Sequence, residues 1–444
     1  MKVSTPGLTP ATLFARETLW QSWLDVEAAL AEVQAEMGMI PDWAAEGIRA
    51  AATLDKVGIE ALQADIRVTH APILSLTRLL GRAAGEAGAY VHWGATTQNV
   101  MQTARILLIR EADGHIRRAL GAALNRLAEM AATHAETLMA GRTNRQHALP
   151  ITFGFKVAGW IEELTRAVDR LDGGGRRLFV LPFGGAVGAM HAFGAEGKAL
   201  NDRLAAHFGL EALLVPGRAI NDLFADYVVQ LSLLAMTIER IAAELYLLMT
   251  EEIGEISETL DAGTVGSSTM PHKVNPKFVV RVLAEAVELR GLAASALETG
   301  RSSHEGDAAP NQLLSAVLDR SVPLAWVLAE GFDGLLRRIA VNTGRMERNA
   351  GLSGGAIATE GLMMMLAPRI GRAEAHDLIH HALDHRAEVG GTAADVLKAD
   401  GDLLSHLTEA EIDAALDPAN YCGDSARIAR DAAAMARELG RQIR

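Results

Sequence analysis

Between two long stretches of helical periodicity lies DAGTVGSSTMPHKVNPKF (residues 261–278), whose residue types suit a binding loop. Gly263 and Gly266 open backbone conformations closed to other residues, and Pro271 and Pro276 stiffen the exit into a helix expected to begin near Lys277. A helix start offers free N–H groups and a partial positive charge, and Lys273 and Asn275 add a cation and an amide donor. Together they suit a carboxylate or a phosphate. Ser267 and Ser268 lie inside the same stretch. A hydroxyl in a positive, closable pocket loses its proton more readily than in water, and can then serve as a base. Composition alone favours a plain connector.

The elements that would carry this loop are helical. Leu19, Trp23, Val26, Leu30, Val33 and Met37 form one apolar stripe closed by Gly38 and Pro41. Residues 220–253 contain no Gly or Pro, and further long helices are expected over 101–140, 151–171, 278–298 and 313–341, the last with a kink at Pro323. Strand signals are nearly absent. The expected class is all-α, in three domains: 1–107 with shorter helices, 108–345 as a central long-helix bundle carrying the loop 262–276, and 346–444 with short amphipathic helices. The helix over 220–253 is apolar around most of its circumference, which implies burial against other copies of the chain and hence a homo-oligomer.

Of the 444 residues, 42 are Lys or Arg and 55 are Asp or Glu, and the formal net charge of −13 argues against a nucleic-acid or anionic-membrane partner. The single cysteine, Cys422, allows no intrachain disulfide and fits a reducing compartment. With no apolar signal core and no membrane-length apolar run, a cytoplasmic protein is expected. His376, His380, His381 and His385 share helical spacing but read as a solvated face, so no metal is expected, nor any organic cofactor. Met363–Met365 reads as core filling.

The segment GSSTMPHKVNP (266–276) resembles the signature loop of the fumarase/aspartase superfamily, which includes adenylosuccinate lyase, argininosuccinate lyase and the cycloisomerase acting on 3-carboxy-cis,cis-muconate. HWGATTQNVMQTA (92–104) and GRTNRQHALPITFG (141–154) resemble the first and second substrate-binding motifs, in the same order, and the likeness extends over essentially the whole chain. The resemblance implies a homotetramer in which each active site takes segments from three subunits. It further implies proton abstraction beside a carboxylate, a dianionic intermediate and loss of the group on the neighbouring carbon. By the same carry-over Ser267 is the base and Ser268 supports it. Thr96, Thr97 and Gln98 hold a substrate carboxylate with Thr143 and Gln146 nearby, and Lys273 and Asn275 serve the dianion. His70 and His92 match histidines of the adenylosuccinate lyase pattern.

Two departures narrow the expectation. Asn144 stands where such adenylosuccinate lyases carry a proton-donating His, and Val280 where they carry its supporting Glu; the muconate cycloisomerase branch lacks the same pair. GRSSHEGDAAPN (300–311) and INDLFADY (220–227) also hold fewer cations than a nucleotide phosphate would call for. The first expectation is therefore a lyase releasing fumarate from a small N-substituted or β-substituted succinate. A lactonising cycloisomerase is the alternative, and a catalytically silent structural relative is a third reading of another class.

Overall fold

The computed structural model describes residues 7–443, with the side chains of residues 385–389 outside that description. The main helices are α1 (Arg16–Glu36), α2 (Thr97–Thr133), α3 (Phe153–Leu178), α4 (Asp222–Leu248), α5 (Phe278–Gly291), α6 (Ala308–Leu336) and α7 (Ser425–Gln442). Two short antiparallel pairs bear on the site: β1 (Leu138–Thr143) with β2 (Gln146–Thr152), and β3 (Ile256–Glu258) with β4 (Ile339–Val341). The class is all-α, with strands among the described residues confined to two-stranded pairs.

The long helices follow from apolar spacing. In α4, Val228, Leu231, Leu234, Ile238, Ile241, Leu245 and Leu248 are all buried, at intervals of three and four that keep one face inward. Met236, Ala243 and Leu247, at matching intervals, are exposed on another face of the same helix. Helix α6 runs through Pro323 without ending. The helix expected over 278–298 is divided, with α5 stopping at Gly291 and a short helix resuming over Ala293–Glu298. The helix expected to reach 140 stops at Thr133, because Leu138–Thr143 pairs with Gln146–Thr152 instead.

The chain divides into two compact units. One runs to Arg118 and adds Ala167–Met236 and Ala284–Glu330; the other comprises Ala119–Arg166, Thr237–Leu283 and the chain from Gly331. The divisions fall inside α2, α3, α4, α5 and α6, so each of these helices contributes to both units. In the first unit α1 buries Leu24, Val26, Leu30 and Val33 and packs on helices Asp42–Ala51 and Gly197–Phe208. In the second, β1 packs on helix Thr343–Gly351, where Ala140, Ala350 and Ile357 are buried together. A separate cluster of Leu362, Leu366, Ile379, Leu397, Leu403 and Ile412 forms the core of the C-terminal helices. No single helix among the described residues is long and apolar enough to cross a membrane.

Candidate active site

The loop 262–276 belongs to the second unit, and both of its ends are pinned. Arg338 donates to the Asp261 carboxylate at 2.7 Å, accepts the Thr259 N–H on its carbonyl at 2.8 Å, and lays its guanidinium 4.1 Å from the Phe278 ring centre. Glu258, on β3, receives the backbone N–H groups of Lys277, Phe278 and Val279 at 2.7, 3.1 and 2.7 Å. The first-turn amides of α5, expected to be open to a substrate anion, are thus filled by a carboxylate of the chain itself.

Within the loop, the Asn275 backbone and side-chain N–H groups both donate to the Gly266 carbonyl, which closes residues 266–275 into a ring. Only glycine fits at 266, since a Cβ there would lie 2.7 Å from the Lys273 carbonyl oxygen. Inside the ring, Ser267 Oγ accepts the N–H of Met270 at 3.1 Å and the more distant N–H of Thr269 at 3.4 Å. Two amides aimed at one hydroxyl oxygen favour its deprotonated form. Ser268 lies beside Thr269, and the exposed Lys273 ammonium pairs with no carboxylate among the described residues.

The second motif is a hairpin in the same unit. Thr143 and Gln146 are the last register pair, and the two-residue turn between them is Asn144–Arg145, with φ of 49° and 65°. That is the geometry of a primed turn, which Asn tolerates and Arg adopts at a cost. Thr143, Asn144 and Gln146 are exposed at this tip. Arg142, also in the motif, faces away from the tip and holds the fully buried Glu255 with two hydrogen bonds of 2.6 and 3.1 Å, while Asn349 donates to the same carboxylate at 2.7 Å. Burial, and then the charge of Arg142, lower the His147 pKa. Arg145 and Pro276, one from the hairpin tip and one from the loop, line a single cavity of about 690 Å³ with Arg240 and Thr250.

The first motif lies in the other unit. Thr97 opens α2, and the Thr96 and Thr97 hydroxyls carry no hydrogen bond among the described residues. Gln98 is buried and fully engaged: its Nε2 donates to the Arg218 carbonyl at 2.7 Å, and its Oε1 accepts Arg218 Nε at 3.0 Å and Asn311 Nδ2 at 3.1 Å. Gly94 is required at a positive φ of 72°, where a Cβ would strike the Phe193 ring. His92 hydrogen-bonds through Nδ1 to the buried Glu27 at 2.6 Å. Burial depresses the His92 pKa, but the hydrogen bond and charge of Glu27 outweigh it and leave the value raised. His70 is exposed in a left-handed conformation at the end of helix Ile59–Thr69.

Residues 11–291 match the family described as Lyase, and residues 355–432 match Adenylosuccinate lyase C-terminus. The chain belongs to the fumarase/aspartase superfamily. Its relatives include an N-acetyl-S-(2-succino)cysteine lyase of Dickeya dadantii, 33% identical over 90% of this chain and 88% of the relative. A 3-carboxy-cis,cis-muconate cycloisomerase of Pseudomonas aeruginosa is 35% identical over 91% of this chain and 89% of the relative. Among solved structures, a fumarate lyase from Mesorhizobium sp. BNC1 superposes with a TM-score of 0.89 at 32% identity, covering 97% of this chain and 99% of that one.

As a member of this superfamily the chain is an enzyme, and several of the residues that arrange its motifs carry no sequence signal. Glu27 and Glu258 reach their partners from 65 and from 19 to 21 residues away, and Glu255 reaches Arg142 from 113. Arg218 stands just before the segment 220–227. Arg301, in the segment 300–311, pairs with Glu298 at 2.9 Å. In the histidine-rich helix, His376 and His380 lie beside Asp377 and Asp384, and the His385 side chain is outside the described residues. Met363 packs on the C-terminal core, while Met364 and Met365 are exposed.

Glu258→Ala should cost about 1–2 kcal/mol by uncapping α5, and it should speed proteolysis within 262–276. Unchanged cleavage would show that the cap does not hold the loop. For His92 the folded pKa lies above the unfolded one. The stabilisation from Glu27 is therefore complete below the ordinary histidine value of about 6.5 and fades as pH rises through the folded value. Between about pH 6 and 8, the wild type should lose more denaturation stability than Glu27→Gln does, and parallel curves would refute the pairing.

Proposed function

We propose that the chain is a lyase that releases fumarate from a small N-substituted or β-substituted succinate, with Ser267 as the base. The observation that carries this is the pair of amides, Thr269 and Met270, directed at Ser267 Oγ inside a loop whose Lys273 has no carboxylate partner among the described residues. The proton beside a carboxylate is very weakly acidic, and its removal adds a second negative charge to that carboxylate. Donors aimed at the developing charge lower the barrier, and a serine oxygen acts as the base only where its anion is held. The Ser267 alkoxide takes the proton, the carbanion's electron pair forms the double bond of fumarate, and the bond to the substituent breaks with its electrons leaving on nitrogen or sulfur.

Asn144 occupies the hairpin turn where a histidine donor would stand in the adenylosuccinate lyase pattern, and Val280, where its supporting Glu would stand, is 40% exposed. The leaving group takes its proton from His92, whose link to Glu27 keeps the imidazole cationic to higher pH. A thiolate needs that proton less than an amide ion does, so both substituent types are compatible with the site. No metal or organic cofactor enters these steps.

The working form is a homotetramer with sites shared between subunits. It brings the Ser267 stretch of one copy's loop to Thr96 and Thr97 of another and to the hairpin tip of a third, while the loop's exit at Pro276 stays beside its own hairpin. It also covers the exposed Met236, Ala243 and Leu247 on α4. A lactonising cycloisomerase is the second reading, favoured by the Asn144 and Val280 positions and by the cycloisomerase relative.

The reverse reaction provides the test. Incubated with fumarate and a panel of amines and thiols, the protein should form substituted succinates, and Ser267→Ala should lose at least about a thousandfold in rate. Lactonisation of 3-carboxymuconate with no succinate adduct would select the second reading. Full activity in Ser267→Ala would remove the base assignment.

A further inference from the structure

We infer that Arg218 sets the requirement for a diacid, by pairing with the substrate carboxylate that Thr96 and Thr97 hold; this rests on the fumarate-releasing lyase proposed above. Arg218 is half-buried, and both acceptors of its side-chain hydrogen bonds are neutral. Its Nε donates to Gln98 Oε1 at 3.0 Å and its Nη1 to the Ala186 carbonyl at 2.8 Å, and no carboxylate pairs with it among the described residues. Several other sheltered arginines face carboxylates, although Arg345 too has only neutral acceptors, the carbonyls of Glu251, Glu252 and Ile253. Arg105 faces Asp319, Arg117 faces Asp113 and Asp172, and Arg142 faces Glu255. Arg110 has no such partner, but it points at the Phe208 and Gly209 carbonyls closing a helix end, where the negative end of the helix dipole faces it.

The guanidinium is also held in place before any ligand arrives. Segments 184–188 and 216–218 pack backbone to backbone, so that a Cβ on Gly188 would lie 2.8 Å from the Gly217 Cα. Gln98 grips Arg218 twice, through its side chain and its carbonyl. A charge sheltered from water and fixed among neutral acceptors leaves its attraction for an anion unspent. Thr96 and Thr97, next to Gln98 in the chain and with hydroxyls free of hydrogen bonds among the described residues, would complete a planar acid's set of donors. Gln98 then acts as a positioning residue that aims the guanidinium, and the carboxylate contact expected of Gln98 itself passes to Arg218.

Fumarate and crotonate share a trans carbon skeleton and differ by one carboxylate, so they serve as probes without knowledge of the leaving group. By calorimetry on the full chain, the wild type should bind fumarate more tightly than crotonate. Arg218→Gln should weaken fumarate by about ten- to hundredfold and leave crotonate unchanged. Gln98→Glu, which sets a carboxylate against Arg218 at nearly constant shape, should raise Tm and weaken fumarate to a similar degree, and it decides alone should Arg218→Gln not fold. Undiminished fumarate affinity in either variant, or an equal loss for both acids, would overturn the assignment to Arg218 alone. A wild type that binds neither acid would overturn the lyase proposal as well.

Discussion

A serine hydroxyl is a poor base in water, and the amides of Thr269 and Met270 directed at Ser267 Oγ are the local provision against that weakness. They can point there only while residues 266–275 keep their ring, and the ring keeps its place only while both loop ends are fixed. Arg338 and Glu258 fix them, one gripping the entry at Asp261 and the exit at Phe278, the other satisfying the start of α5. Between the anchors the loop is exposed, with Val265, Met270 and Val274 turned outward. A segment rigid at its ends and uncovered along its length is suited to closing over a ligand.

The short strand β3 concentrates this organisation. Glu255, immediately before it, is bound by Arg142 of the hairpin motif, and Glu258, at its end, is bound by the amides that follow the loop. Two of the three motif segments are therefore referred to one stretch of backbone. The third, at the start of α2, has its own support in the Gln98, Arg218, Asn221 and Asn311 network and in the His92–Glu27 pair. This separation of motifs suits an enzyme whose sites are completed by other copies of itself, as proposed, since each set is rigid where it stands and open where a neighbour would arrive.

Residue types and periodicity make much of this legible. The helical class, the stripe of α1, the length of α4 and the start of α5 near Lys277 follow from spacing and from the positions of Gly and Pro. The hairpin was not legible as a strand pair, because apolar residues continue at helical intervals past Thr133 and only pairing with residues 146–152 ends the helix. Candidate residues in the three motifs stand out by type, whereas their partners do not. Glu258 is an ordinary acid until the fold brings it to amides 19 to 21 residues away, and Gln98 resembles a ligand donor until its carboxamide is found against Arg218. Long-range partners leave no local pattern.

The proposed enzyme needs Ser267 from one copy and Thr96–Thr97 from another in every working site. Mixing two inactive variants tests this most directly, Ser267→Ala in one preparation and Thr97→Val in the other, dissociated and reassembled together. Hybrid assemblies contain some sites with both defects and some with neither, so the account predicts that turnover of the substituted succinate returns in the mixture and in neither variant reassembled alone. A mixture that stays as inactive as its components, at the wild-type oligomeric size and with subunit exchange demonstrated, would contradict it.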